Sequence, residues 1–213
     1  MTVNEGLIKS DFKAGKARQK LGEWYIPQSH IDAFVKDTVR VETLPAGFKL
    51  FKLTKGEAKS DPKYGITPWW CSVSPFKEDY EGAIGRFEQA KLNKIDMSAM
   101  ARYMAAVPID WNELDNYIEI SLKVAASGFW GTFAPQEKWH DKHKQNLAVE
   151  MSRGRATPTS RTMGIKDAVL PNELGALEAW QFYIPGLQEE HISRQDRVIS
   201  AHDMVALQAY FFG

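Results

Sequence analysis

The chain reads as an α+β domain, and three observations predict that class. Ile118, Ile120, Leu122 and Val124 alternate with Glu119, Ser121 and Lys123, the period of a half-buried strand. Tyr80, Ile84, Phe87 and Ala90 fall on one stripe of a helix over 78–92. Strands and helices follow one another irregularly, without the strict βαβ alternation of a doubly wound sheet.

Taken in order, Gly6 to Lys20 is a polar lead-in or a short helix, and Ser29 caps a helix through Val35. Phe48 to Leu53 has the length and residue types of a strand. Lys55 to Tyr64 is polar, contains Gly and Pro, and reads as a loop. Pro68 to Pro75 is extended, and the helix over 78–92 follows. Asp96 caps a second helix over 97–107, which Pro108 stops.

After the alternating strand, Ser127 to Gln136 is a Gly-interrupted aromatic strand with a bend. Trp139 to Arg155 has helical character and Gly154 to Gly164 is loop. Trp180 to Ile184 is a strand ended by Pro185-Gly186, and Ser200-Ala-His-Asp203 resembles a capping box that opens a helix through Phe211. The length, 213 residues, favours one domain. It divides into a helical lead-in over 1–44, a sheet-containing core over 45–186 and a C-terminal helical segment over 187–213.

Composition excludes several classes. No run of about 18 apolar residues is present, so no membrane span is expected. Met1 to Lys20 has no apolar core of a signal peptide, so the chain is expected to be made in the cytoplasm. A single cysteine, Cys71, rules out an internal disulfide framework. Lys+Arg and Asp+Glu balance at 27 each, which argues against nucleic-acid binding, where phosphate neutralisation supplies most of the affinity. The most basic stretch, Lys138 to Lys166, is read as a solvated loop.

Candidate chemistry is sparse. His140 and His143 would share a helix face, but neither a His-Glu-x-x-His motif nor a cysteine pair supports a metal, and none is expected. The phosphate-cradling glycine loops and the Gly-x-Ser-x-Gly elbow are absent. Cys71 lies within an apparent strand and reads as a buried small hydrophobe, although a cysteine nucleophile served by a histidine is one alternative. What remains is spread over three extended segments: Lys52 on the early strand, Ser72 and Ser74 on the Trp-Trp strand, and Gln181 near Glu178 on the late strand.

In that order these segments resemble the ADP-ribosyltransferase superfamily. Ala46-Gly-Phe-Lys-Leu-Phe-Lys52 is similar to its first core strand, which usually ends in Arg, and Trp70-Cys-Ser-Val-Ser-Pro75 to its Ser-x-Ser strand. Phe129 to Gln136 and Ala179 to Gly186 resemble the closing strands of the NAD-glycohydrolase toxin branch, the tuberculosis necrotizing toxin type, where Gln replaces the catalytic Glu. The resemblance implies a split, mainly antiparallel sheet with flanking helices. It implies NAD as substrate, cleaved at the nicotinamide–ribose bond through an oxocarbenium-like state. Lys52 and Ser74 would help hold the dinucleotide, with Lys52 at the diphosphate. Ser72 would support the nicotinamide ribose and Gln181 would bond a ribose hydroxyl, with Glu178 close by. Trp69, Trp70 or Phe129 would wall the nicotinamide.

The resemblance further implies an effector or toxin delivered by a signal-peptide-independent secretion system. A macromolecular acceptor and a neutralising immunity protein would be its partners. Two alternatives stand beside it: a non-catalytic binding or interaction protein, and a cysteine hydrolase or deamidase using Cys71.

Overall fold

The computed structural model describes residues 1–13, 16–19, 22–54, 66–73, 76–77, 106–109, 116–141, 146, 172–174 and 180–198. The expected helix over 78–92, nearly all of that over 97–107, the C-terminal helix and the loop over 55–64 lie outside these residues, as do Ser74, Glu178, His143 and His202. The chain forms two compact units interleaved in sequence. One comprises Met1–Phe76, Asn116–Ala134 and Trp180–Val198; the other comprises Lys77–Asp115, Pro135–Ala179 and Ile199–Gly213.

The first unit is mixed α+β. In chain order it contains β1 (Thr2–Val3), α1 (Lys9–Lys13), β2 (Lys16–Gln19), β3 (Gly22–Tyr25), α2 (Gln28–Asp32), β4 (Arg40–Leu44), β5 (Lys49–Thr54), β6 (Trp69–Ser72), β7 (Asn116–Leu122) and β8 (Ala125–Thr132). In the second unit β9 (Gln136–Glu137) pairs antiparallel with β10 (Glu173–Leu174), and Leu174, Trp139 and Ile109 are buried. Two main-chain bonds brace that unit, from Ile109 N to Lys138 O at 2.7 Å and from Lys138 N to Asn172 O at 3.0 Å. The chain returns to the first unit with β11 (Trp180–Tyr183) and β12 (Ile192–Val198).

Eight strands of the first unit form one sheet in the order β1-β8-β11-β6-β5-β7-β12, with β4 also on β8. Every pairing in it is antiparallel except that of β1 with β8. The sheet has to curl. Only Lys123 and Val124 separate β7 from β8, yet β11, β6 and β5 stand between them. In a flat sheet the two strands would lie about 19 Å apart, and a two-residue link spans only about 11 Å. Curling brings both ends over one core: Ala126 and Trp130 of β8 share a buried cluster with Ile118, Ile120 and Leu122 of β7.

Alternation decides which side each strand buries. On the inner face Leu50, Trp70, Trp130, Phe182 and the β7 isoleucines interlock, with the Trp130 and Phe182 centroids 4.3 Å apart. On the outer face of the β8–β11–β6 half, Phe129, Tyr183 and Trp69 pack against Leu7, Phe12, Ile31, Phe34 and Val39 from the N-terminal segments. Two glycines of β8 permit this layering. A Cβ on Gly128 would stand 2.7 Å from Ile184 Cγ1, and one on Gly131 would stand 3.0 Å from Val39 Cγ2 and 3.1 Å from Phe34 Cδ1.

The sequence-based elements need three corrections. The 187–213 segment is not helical throughout: Ile192–Val198 is a strand, pairing with β7 over seven residues from Ile192↔Leu122 to Val198↔Asn116. The free edge of β7 recruits it, because an unpaired row of main-chain groups next to a buried face is costly. The lead-in holds a β2–β3 hairpin besides the one-turn α1. Helix α2 starts at Gln28 behind an extended Pro27, with Ser29 inside it rather than at its cap.

Candidate functional site

The three extended segments singled out by sequence come together as neighbours: β11, β6 and β5 lie side by side with β6 in the middle. Each ladder on β6 is two residues long. Trp69 and Trp70 pair with Tyr183 and Phe182 of β11, whereas Cys71 and Ser72 pair with Phe51 and Leu50 of β5. The ladders therefore do not overlap, and the sheet is narrowest at this seam. Gln181 pairs with Gly131 of β8, and Lys52 with Ile118 of β7, each one step beyond its strand's ladder to β6.

Pleating sorts the side chains. Residues directly opposite each other in a ladder share a face, and neighbours along a strand do not. Lys52, Ser72 and Trp70 thus belong to the inner face, with Leu50 and Phe182. Gln181 and Phe129 belong to the outer face, with Tyr183 and Trp69. The seam brings the three strands together but sends Lys52 and Ser72 to one side and Gln181 to the other.

Two expected ring walls are core residues. Trp70 is 2% exposed, and its indole Nε1 donates to Thr67 O at 2.8 Å. Phe129 is fully buried against Phe12, with centroids 5.1 Å apart. Neither presents a ring face to solvent, because the curl closes over the first and the N-terminal segments cover the second.

Lys52 has the environment of a functional amine. Its Nζ donates to Thr67 Oγ1 at 2.8 Å, and no carboxylate among the described residues pairs with it. Burial lowers its pKa from 10.5 to about 8, with a smaller opposing electrostatic contribution from nearby Cys71. A half-buried ammonium with one neutral partner is short of negative charge, and an anion would supply it.

Gln181 is 2% exposed, and its Nε2 has no hydrogen-bond partner among the described residues. Such an orphaned donor costs about 1–3 kcal/mol. Its outer face is otherwise aromatic. Phe34, Trp69 and Phe133 lie nearly parallel, with centroids 5.4 Å apart for Phe34–Trp69, 6.0 Å for Phe34–Phe133 and 5.8 Å for Trp69–Phe133. His30 stands edge-on to Trp69 at 5.2 Å, and its Nδ1 lies 3.0 Å from Tyr183 Oη. Burial holds the His30 imidazole below the ordinary histidine range and pushes the Tyr183 phenol up.

Neither Thr67 nor His30 stood out in the sequence. Thr67 precedes Pro68 in an extended approach to β6, and only the partnership with Lys52 gives it meaning. His30 sits in a polar helical turn, where an exposed surface histidine is the ordinary expectation. Its tie to Tyr183 spans 153 residues. Of the described histidines, His30 Nδ1 is engaged by Tyr183 and His191 Nδ1 accepts from Gln188 N at 3.0 Å. Among the described residues no group of three or more His, Cys, Asp or Glu could hold a metal ion, and no helix is long and apolar enough to cross a membrane.

No protein-family model matches this chain, and neither a curated protein nor a solved structure matches it.

Proposed function

We propose that this chain is an NAD-consuming domain of ADP-ribosyltransferase type, cleaving the nicotinamide–ribose bond to pass ADP-ribose to water or to a macromolecule. One observation carries the reading: segments separated by up to about 130 residues, chosen for their likeness to that superfamily, form three adjacent strands, β11-β6-β5. Lys52 supplies the cation for the diphosphate. Protonated for the most part at pH 7, it gains the anionic partner its surroundings lack. Gln181 supplies an unpaired amide N–H for a ribose hydroxyl, strongest if that bond forms only as the glycosidic bond breaks.

The pleat imposes a demand on this reading. A single dinucleotide engages both residues only if the β11–β6–β5 seam, where the ladders do not overlap, parts to admit it, with its diphosphate toward the Lys52 side and its nicotinamide ribose toward the Gln181 side. By the same resemblance the protein is an effector made in the cytoplasm, exported without a signal peptide and neutralised by an immunity partner in its producer.

The separation of Lys52 and Ser72 from Gln181 favours a second reading, a non-catalytic binding protein in which these side chains serve the two cores. Incubation of the purified protein with NAD, following free nicotinamide, decides between them. The enzymatic reading expects release that Gln181→Ala abolishes and Cys71→Ala spares. No release, with or without a cell lysate as acceptor source, leaves the binding-protein reading.

A further inference from the structure

The outer aromatic face holds two N–H donors that have no partner among the described residues. The first is Gln181 Nε2, discussed above. The second follows from the His30–Tyr183 bond. Tyr183 is 4% exposed, and His30 is the only hydrogen-bond partner of its hydroxyl among the described residues. Were His30 the donor, the phenolic proton would be left unpaired in the interior at a cost of about 1–3 kcal/mol. Tyr183 therefore donates to Nδ1, and the neutral imidazole carries its proton on Nε2. That N–H has no partner among the described residues.

His30, Trp69 and Phe133 are each partly exposed, so the rim is open to solvent while Phe34 and Tyr183 form its floor. Trp69 fixes the geometry, meeting Phe34 nearly parallel and Tyr183 edge-on at 4.7 Å and 80°. The partly exposed rings of Trp69 and Phe133 offer apolar surface, and the His30 N–H beside Trp69 favours a ligand that is flat and carries an acceptor.

We infer that His30, Trp69 and Phe133 form a binding site for a planar aromatic ring bearing a carbonyl group, with the ring against Trp69 and Phe133 and the carbonyl oxygen accepting from His30 Nε2–H. The identification of that ring with the carboxamide-bearing pyridine of NAD rests on the reading proposed above; the site itself does not. His30 and Phe34 come from the N-terminal segment, outside the part of the chain that carries the family resemblance.

Ligand-observed NMR with nicotinamide, benzamide and cyclohexanecarboxamide tests this directly. Nicotinamide and benzamide should bind the wild-type chain comparably. Cyclohexanecarboxamide, with the same carboxamide on a puckered ring, should show no binding. His30→Phe, made together with Tyr183→Phe so that no buried phenol is left unpaired, removes the N–H and should weaken both aromatic amides by about 3–10-fold relative to Tyr183→Phe alone. Phe133→Leu, at the exposed rim, should weaken them without loss of fold. Equal binding of the puckered amide, equal affinity in the double variant and Tyr183→Phe, or no binding of benzamide overturns the site. Aromatic amide binding without nicotinamide release from NAD would sink the catalytic reading and leave this one. Release whose KM is the same in the double variant as in Tyr183→Phe would do the reverse.

Discussion

The two faces of the curled sheet are built from the same strands and solve different problems. The inner face is apolar at its centre: Trp130, Phe182, Leu50, Ile118 and Ile120 fill it, and Lys52 enters with Thr67 as its hydrogen-bond partner. The outer face is also packed, but it admits polar groups it does not fully satisfy, namely Gln181 Nε2 and the imidazole of His30. An interior that serves only stability does not keep orphaned donors, because replacing them with apolar groups of the same shape costs little. The inner face thus carries one half-buried cation among apolar side chains, and the outer face carries polar groups left without a partner among the described residues; on the proposed reading the dinucleotide partners both.

Substitutions can break this contrast, and the largest effect belongs to the scaffold. Trp130→Ala removes a fully buried indole that touches Phe182, Phe76 and Trp180. It should cost about 3–5 kcal/mol in denaturant unfolding. A loss under about 1 kcal/mol would mean that the inner face is not the core.

Lys52 sharpens the contrast through pH. Its folded pKa of about 8 lies below the ordinary 10.5, so between these values the unfolded chain binds more protons than the folded one. Stability should rise as pH climbs from about 8 toward 10.5, by an amount on the order of 1–3 kcal/mol. The Lys52→Met variant should lose that slope and gain stability at pH 7. A wild-type curve flat over this window would show that the amine is well solvated.

Gly131→Ala probes the layer over the outer face. The added methyl would meet Val39 and Phe34 at 3.0 and 3.1 Å, and overpacking of this kind costs about 1–3 kcal/mol. Gln181→Met is the smallest change and the most telling. Removing the orphaned amide should raise stability by about 1 kcal/mol while lowering kcat about a hundredfold, the sign of a residue that serves function at the expense of the fold. Destabilisation by Gln181→Met would instead make Gln181 a structural residue.

Strands with a local signature were legible in the sequence. The alternation in β7, the aromatic run of β11 and the Phe-Lys-Leu-Phe segment of β5 each fall within one or two residues of their observed bounds, whereas the aromatic run of β8 starts two residues earlier than expected and ends four residues sooner. Strand β12 was not legible, because Ile192-Ser-Arg-Gln-Asp-Arg-Val198 is mostly charged and polar and becomes a strand by completing the edge of β7. The β2–β3 hairpin was not legible either, because Lys16-Ala-Arg-Gln19 carries no apolar alternation. As for the site, the strand neighbourhood of Lys52, Ser72 and Gln181 could be expected from family likeness, but their faces could not. Parity depends on the register of β6 with β11 and β5, a non-local quantity that shifts every side chain with a one-residue slip. His30 was invisible because its partner Tyr183 lies at the far end of the chain.

The most direct test of the central claim is steady-state nicotinamide release from NAD by the wild-type protein, Lys52→Met and Gln181→Ala. A cation that holds the diphosphate in substrate and transition state alike contributes to KM, whereas a hydrogen bond that strengthens as the ribose becomes cationic contributes to kcat. The account predicts that Lys52→Met raises KM about tenfold with kcat nearly unchanged, and that Gln181→Ala lowers kcat about a hundredfold. Absence of release by the wild-type chain, or equal kinetics in all three proteins, would contradict it.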